Sequence, residues 1–388
     1  MARRLQYKCV QRLERLTMPD GEDSSGKFHT VTWLRDEGTH GGGTRYEIEG
    51  TRIFNRASVN VSSVHYQDKP EYPVDSATAL SVILHPNNPY APSMHLHISY
   101  MVPRGRAPYW RMIADLNPAI PDTAATKRFT ASMATTMEPT LFADAKLFGD
   151  RYFYIPDLDC HRGTSHLFIF SLSAGDTAGL SHAECAALGE RFASTALETY
   201  GAIVQEALDS HAEKDLTAAN KAVQLAYHTL YFFQVLTLDR GTTHGVLAHN
   251  QNDVGTLGSL PRQINRRLLE SWGNDEVAAP RNELVKALLE TLPECTGAET
   301  GSDGTTDDGA KEGTIAEGVV PVTAQTRQAL ANVLRAYYKP GGKIDRQRMA
   351  HQASMDMRWW EERKDSAEST AIGGAGAASL WKNSGRWR

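Results

Sequence analysis

Apolar and polar residues alternate over short stretches between residues 28 and 115. The stretches are rich in β-branched and aromatic residues, and glycine, proline, asparagine or aspartate separates them. They read FHTVTWLR, TRYEIEG, TRIFNRASVNVSSVHY, ATALSVILH, MHLHISYMV and YWRMIADL. Such runs are typical of strands joined by turns, so the sequence predicts a sizeable antiparallel sheet.

Helical periodicity dominates much of the remaining chain. Ser181 precedes Glu184 by three residues and predicts the capped start of a long amphipathic helix. The predicted helices are 122–149, 181–211, 219–228 and VTAQTRQALANVLRAYYK. Strands are predicted at YFYIPDLD and SHLFIFSL, and a strand pair around a tight turn at LYFFQVLTLDRGTTHGVL. Because strands and helices are grouped rather than strictly alternating, the fold class is predicted to be α+β.

Composition divides the chain into four predicted regions. Residues 1–27 are a basic N-terminal helix or extension, and 28–293 form the main domain. Residues 294–320 are acidic and lack large apolar side chains, which predicts a flexible linker or insert. Residues 321–388 hold a helix and a basic extension containing Trp359, Trp360, Trp381 and Trp387.

The overall composition indicates a folded protein with a substantial core. The chain has 388 residues, of which 41% are hydrophobic, and a net charge of -5. No apolar run is long enough for a membrane span. Four separated cysteines argue against a zinc ribbon or a disulfide scaffold, so a reducing compartment is expected. The basic, amphipathic N-terminus is either a mitochondrial matrix-targeting segment or an ordinary first helix. The first alternative predicts a protein of the mitochondrial matrix, and the second a cytoplasmic protein.

The histidines near residue 90 are the first candidate site. His95 and His97 share one face of a strand, with His85 beyond a proline-rich turn. Three histidines can ligate zinc or non-haem iron, but no carboxylate lies at ligand spacing on the same strand. No metal site is therefore predicted. Asp115, at a strand end, is either a base or hydrogen-bond acceptor, or a helix cap.

Five collinear blocks within residues 28–261 resemble the oxygen-dependent coproporphyrinogen III oxidases of haem biosynthesis. GGGTRYEIEGTRIFNRASVNVSSVHY resembles the family's glycine run, hairpin and FEKAGVNxSxVxG strand. SVILHPNNPYAPSMHLHISY resembles SxVIHPxNPHxPTxHxNYRYF, and YWRMIADLNP resembles WWFGGGxDLTP. YFYIPDLDCHRG resembles YFFIxHRxExRG, and LDRGTTHG followed by GSLP resembles YDRGTKFGL followed by MSLP.

This resemblance implies a broad, flat antiparallel sheet with helices on both faces, usually in a dimer. It implies oxidative decarboxylation of two propionates by molecular oxygen, without a metal or an organic cofactor. His95 matches the family's active-site histidine, and Asp115 matches the aspartate thought to hold the pyrrole N–H groups. Further matches are Arg162, Asp239, Arg240 and Gly241.

The substrate-binding positions depart from the family. Ser99 stands where the family has the arginine of NYRYF, although a substrate with four carboxylates needs guanidinium partners. Three side chains replace three glycines and are predicted to fill the cleft: Arg111, Met112 and Ile113. Other departures are Phe170, Ser171, Phe233, Val235, Asn252 and Val254.

The sequence therefore leaves two functions open. The first is a non-catalytic binding and assembly subunit, paired with itself or a paralogue, which resembles guide-RNA-binding subunits of a mitochondrial RNA-editing complex. An RNA 5′-triphosphate could then contact His97, Arg111, Arg162 and Arg240. The second is an active coproporphyrinogen III oxidase whose missing arginine is supplied by Arg104, Arg106 or Arg111.

Overall fold

The structure is a computed structural model. It describes residues 1–18, 26–72, 74–155, 158–172, 180–237, 257–273, 279–294 and 318–338, with backbone only at 170–171 and 279–282. Several predicted features lie outside these described residues. They are Asp239, Arg240, Gly241, Asn252, Val254, the side chains of Phe170 and Ser171, most of 294–320, and the tryptophan-rich extension.

Seven strands form one antiparallel sheet in the order β1-β2-β3-β4-β5-β6-β9. Its first six strands follow one another along the chain, so tight connections bring sequence neighbours together. The strands of this sheet are β1 (His29–Leu34), β2 (Gly41–Glu49), β3 (Phe54–His65), β4 (Val74–Pro86), β5 (Ser93–Pro103), β6 (Tyr109–Asn117) and β9 (Ser165–Leu172). Two small ladders pair β7 (Tyr154–Ile155) with β8 (Cys160–His161), and β10 (Gln263–Asn265) with β11 (Val319–Pro321). The predicted antiparallel sheet is confirmed.

The described residues also form eight α-helices. They are α1 (Ala2–Thr17), α2 (Thr123–Ala134), α3 (Pro139–Tyr152), α4 (His182–Ser210), α5 (Ala218–Thr237), α6 (Arg266–Trp272), α7 (Ala279–Thr291) and α8 (Ala324–Tyr338). Helix α4 begins at the predicted cap, since Ser181 and Glu184 form a reciprocal capping box. None of the described helices combines the length and hydropathy that crossing a membrane requires.

Side-chain alternation gives the main sheet one apolar and one polar face. On the central strands, the apolar face carries Leu80, Leu96 and Met112, which are fully buried beneath α1 and α4. The same core takes in Leu5 and Phe192 from these helices. Burying this continuous apolar surface positions the sheet and leaves its opposite face for polar side chains.

A second core covers part of the polar face. Ile83 of β4 packs against this core, to which α5 contributes Tyr231 and Phe232. Leu269 of α6 and Leu334 of α8 join the same cluster. Helices therefore lie on both faces of the sheet, which confirms the predicted α+β architecture.

The strand pair predicted at LYFFQVLTLDRGTTHGVL is wrong for its described part. Helix α5 continues through Leu230 and Phe233 to Thr237, where the described range ends. Every residue from Tyr227 to Thr237 is buried, so no exposed polar face marks this part of the helix. Without an exposed polar stripe, the hydrophobic period does not distinguish such a helix from a buried strand.

Both ends of the described chain pack on its middle. Helix α1 contacts α4, β3 and β4, and its Leu5 and Leu13 belong to the main core. Strand β11 pairs with β10, and α8 packs on α7. The division into regions 1–27, 28–293, 294–320 and 321–388 stays a prediction.

Candidate functional site

His95 and Asp115 meet on the polar face because they are directly opposite in the β5–β6 register. The His95 Nδ1 atom lies 2.9 Å from Asp115 Oδ1. Asp115 is fully buried, whereas the His95 side chain keeps some exposure. Antiparallel pairing therefore assembles the two residues that the sequence selected as family matches.

Arg162 and Asn117 occupy the second oxygen of the Asp115 carboxylate. Arg162 Nη2 donates to Asp115 Oδ2 at 2.8 Å, and Asn117 Nδ2 donates to the same oxygen at 2.7 Å. The other terminal nitrogen of Arg162 donates to Gln234 Oε1 at 2.7 Å. Both carboxylate oxygens are thus engaged within the protein.

Aromatic rings enclose the Arg162 guanidinium. Its carbon Cζ lies 4.4 Å from the ring centroid of Phe153 and 5.5 Å from that of Tyr231. His166 Nε2 contacts the Arg162 carbonyl oxygen at 2.9 Å, while its Nδ1 lies 2.9 Å from Asp150 Oδ1. These contacts hold Arg162 in the orientation in which its guanidinium donates to Asp115.

The charges of this network stabilise one another. Burial alone would raise the pKa of Asp115, but Arg162 and His95 hold that pKa well below its usual range. In the same way, burial would lower the pKa of Arg162, and Asp115 more than offsets this and raises it. Asp115 is therefore ionised at pH 7 and binds a proton weakly. An efficient general base has a pKa near the working pH.

Sequence reasoning missed Gln234 and His166 as partners of Arg162. Gln234 lies in the helical segment that was predicted as a strand, between Phe233 and Val235, two positions that depart from the family pattern. Those two apolar residues are buried, and Phe233 contacts the Trp272 ring in the second core. The helical period identifies Gln234 only once the segment is assigned correctly, because helix faces repeat every three or four residues.

His97 lies one row further along the polar face. Its Nδ1 atom is 2.8 Å from Ser81 Oγ, and its ring centroid is 6.4 Å from that of His95. Burial, His95 and Arg111 lower the pKa of His97 to about 3, so it is neutral at pH 7. A neutral imidazole can donate or accept a hydrogen bond but provides no positive charge.

Arg111 is directly opposite Ser99 in the β5–β6 register. Opposed side chains in an antiparallel pair have Cβ atoms about 4.5–5.5 Å apart. Arg111 therefore projects from the strand next to the position where the family carries its arginine. Its half-buried guanidinium contacts Tyr109, with Nη2 3.4 Å from the hydroxyl. Arg111 of β6 thus places a cation on this part of the polar face, beside Ser99 of β5.

The prediction that Arg111, Met112 and Ile113 all fill the cleft is wrong for Met112. Successive residues of a strand point to opposite faces, so Arg111 and Ile113 share the polar face. Met112 is fully buried in the main core beneath α4. Ile113 packs with three aromatic side chains, Phe148, Phe153 and Phe168.

His85 takes part in separate contacts. Its Nδ1 atom lies 3.1 Å from Ser93 Oγ, and its ring packs on His228 and Tyr231 at centroid distances of 5.2 and 4.5 Å. Burial, followed by the charges around it, lowers the pKa of His85 well below the usual value. Within the described ranges, no three His, Cys, Asp or Glu side chains converge as metal ligands.

The seven-stranded antiparallel sheet with helices on both faces agrees with the fold that the sequence resemblance implies. The family model described as Coproporphyrinogen III oxidase matches residues 1–289. The chain therefore belongs to the coproporphyrinogen III oxidase family.

Individual relatives agree with this assignment. The protein named oxygen-dependent coproporphyrinogen-III oxidase from Prochlorococcus marinus strain MIT 9312 is 27% identical over 292 residues, covering 66% of this chain and 81% of that protein. The protein of the same name from P. marinus subsp. pastoris is 26% identical over 275 residues, covering 62% and 77%. That of strain NATL1A is 31% identical over 161 residues, covering 38% and 45%.

Proposed function

We propose that this chain is a non-catalytic member of the coproporphyrinogen oxidase family that acts as a binding and assembly subunit. The observation that carries the proposal is the enclosure of Asp115. The resemblance implies that this aspartate holds the pyrrole N–H groups of a substrate. Here His95, Arg162 and Asn117 occupy both carboxylate oxygens, and the side chain has no exposed surface.

The surroundings of Asp115 support the same conclusion. Ile113 replaces a family glycine on the polar face and is buried among Phe148, Phe153 and Phe168. Glycine allows a flat ligand to approach a strand closely, whereas a branched side chain keeps it away. Catalytic groups must be held within about 0.5 Å of a productive geometry, so an added side chain beside Asp115 disfavours turnover.

The ligand that we propose is RNA bearing a 5′-triphosphate, such as a guide RNA in mitochondrial RNA editing. Arg111 supplies a cation on the polar face, and His97 and Ser99 supply hydrogen-bonding groups beside it. The basic C-terminal extension contains four tryptophans, a composition suited to phosphate contact and base stacking. Under this proposal the chain pairs with itself or a paralogue in the mitochondrial matrix.

The second candidate is an active coproporphyrinogen III oxidase. It is favoured by Arg111, which lies opposite Ser99 and can replace the missing guanidinium from the neighbouring strand. Arg104 does not serve this purpose, because it pairs with Asp75 and donates to the Tyr66 carbonyl. Arg106 is exposed in the β5–β6 turn.

A paired assay distinguishes the two candidates. The full chain is mixed with reduced coproporphyrinogen III in air, and porphyrin products are measured. It is separately titrated with a short RNA carrying a 5′-triphosphate or a 5′-hydroxyl at two salt concentrations. RNA binding that requires the triphosphate and weakens steeply with salt, without decarboxylated product, supports the binding subunit. Efficient formation of the divinyl product refutes it and establishes the oxidase.

A further inference from the structure

Three buried arginines come together away from the His95–Asp115 network. Arg45 of β2, Arg56 of β3 and Arg327 of α8 are 0%, 2% and 8% exposed. Burial is the main cause that lowers the pKa of Arg45 and of Arg56, and the nearby positive charge of Arg327 lowers both further. We call Arg45, Arg56 and Arg327 the arginine cluster.

The arginine cluster carries more positive than negative charge. Arg45 forms an ion pair with Glu47, and Arg56 forms one with Glu49. Arg327 Nη1 instead donates to the carbonyl oxygen of Val322 at 3.3 Å, and no carboxylate among the described residues lies within ion-pairing distance of it. Among the described residues, Arg327 thus adds a third guanidinium group to two that are already paired with carboxylates.

Several donors of the arginine cluster lack acceptors. In the described part of the chain, Arg45 Nε and Nη1 and Arg56 Nε are buried without a hydrogen-bond partner. Buried polar groups are almost always satisfied by protein, water or an ion, because an unpaired donor forfeits its hydration. Burial lowers the pKa of Arg45 and Arg56 only to about 10, so both stay charged at pH 7. Charged donors without acceptors match an oxyanion.

The solvent side of the arginine cluster is also polar and basic. The Glu49 side chain is 45% exposed, so the cluster adjoins the surface at the end of β2. Gly50, which has a positive φ of 64°, follows Glu49, and the exposed Arg262 guanidinium occupies the space that a Cβ atom there would need. A ligand approaching from this edge would therefore meet Arg262 before the buried donors.

We infer that Arg45, Arg56 and Arg327 form a binding site for a phosphate-type oxyanion. Guanidinium groups present forked pairs of donors that match the oxygens of a phosphate, and an added anion offsets the excess positive charge. Arg327 lies beyond residues 1–289, the part that the family model matches. This chain therefore completes the site with a helix outside the matched region.

The site is separate from the proposed RNA contacts at Arg111 and His97, and the inference does not depend on them. Arg45 lies in one cross-strand row with Asn60, Ser81 and His97. With neighbouring strands about 4.8 Å apart, Arg45 and His97 are separated by roughly 14 Å. A ligand with several phosphates, or an RNA end, can reach from one position to the other, whereas a single phosphate occupies only one.

The test is a calorimetric titration of the full chain with inorganic tripolyphosphate at constant ionic strength. We expect saturable, one-to-one binding by the unmodified chain. Arg327→Gln is expected to weaken this binding about ten-fold, and Arg327→Lys to weaken it less because the charge is kept. Arg128→Gln is the matched control, since Arg128 makes an exposed ion pair with Glu206 on α4.

The unmodified chain alone can overturn the inference. If tripolyphosphate neither binds at millimolar concentration nor raises the melting temperature relative to chloride, the arginine cluster is a structural ion-pair network only. Equal loss of affinity in Arg327→Gln and Arg128→Gln also refutes the site, because it indicates nonspecific charge attraction.

Comparing ligands separates this inference from the proposed function. Binding of free tripolyphosphate that depends on Arg327, together with no binding of triphosphorylated RNA, upholds the site and refutes RNA as its source of phosphate. If triphosphorylated RNA binds and depends on Arg111 but not Arg327, the RNA proposal holds and the arginine cluster is not its phosphate site.

Discussion

Ser99 and Arg111 face each other across β5 and β6. The family arginine expected at position 99 is absent, and a guanidinium projects instead from the opposed residue of the next strand. Opposed residues of neighbouring strands occupy almost the same part of the face. An arginine on β6 can therefore present its guanidinium where an arginine on β5 would.

The first prediction concerns Arg111. Arg111→Gln is expected to weaken binding of 5′-triphosphorylated RNA about ten-fold, since charge-assisted hydrogen bonds to phosphate are lost. It should also make the slope of log affinity against log salt shallower by about one. Fluorescence anisotropy at four salt concentrations measures both effects. Arg106→Gln, in the exposed turn between the same strands, is the control; equal effects of both variants would argue against specific contact by Arg111.

The second prediction concerns the buried pair Asp115 and Arg162. Arg162→Met leaves the Asp115 carboxylate buried without its main cation and should lower the free energy of unfolding by about 3–5 kcal/mol. Urea denaturation at pH 7 measures the change. The double variant Asp115→Asn/Arg162→Met should lose less than Arg162→Met alone, because no charge is then stranded. Additive losses would show that the two side chains are not coupled.

The third prediction is a loss of stability in mild acid. Burial lowers the pKa of His228 to about 3, and burial with neighbouring charges lowers that of His97 to about 3. In the unfolded chain both have pKa values near 6.5, so between roughly pH 6.5 and pH 3 the unfolded state binds more protons. Stability is therefore present above about pH 6.5 and falls as the pH is lowered through this range.

Each such histidine contributes a slope of up to about 1.4 kcal/mol per pH unit. His228→Phe should reduce the slope, because it removes a titrating group whose Nε2 atom has no partner among the described residues. Urea denaturation at pH 7, 6, 5 and 4 provides the slope. His65→Gln alters an exposed histidine and serves as the control. A slope unchanged by His228→Phe would be evidence that His228 is not buried as a neutral ring.

The fourth prediction tests the alternation of Met112 and Ile113. Met112→Ala should destabilise the chain by about 2–5 kcal/mol, because it opens a cavity in the main core. It should leave RNA affinity unchanged, since Met112 faces away from the polar side. Ile113→Ala lies on the polar face and should change RNA affinity. Urea denaturation and RNA titration are measured on both variants. If the Met112→Ala variant is fully folded and still binds RNA with altered affinity, the assignment of Met112 to the apolar face is contradicted.

Local sequence was sufficient for most of the secondary structure. Strands in the first part of the chain were recognisable because their apolar residues alternate, and α4 because Ser181 and Glu184 cap it and its apolar side chains follow the helical period. The end of α5 was not recognisable, since its residues are buried on every side and neither the helical nor the strand period stands out.

By itself, the sequence determined the antiparallel α+β class, the start of α4 and the family matches at His95, Asp115 and Arg162, because periodicity and motifs are local properties of the chain. Tertiary structure alone decided three features. They are the enclosure of Asp115, the placement of Arg111 opposite Ser99, and the proximity of Arg327 to Arg45 and Arg56. These depend on strand register and on packing between residues as much as about 280 positions apart, and a one-residue change in register would reverse the faces. No local pattern encodes such contacts, because each side chain acquires its partner only when the sheet and the covering helices are assembled.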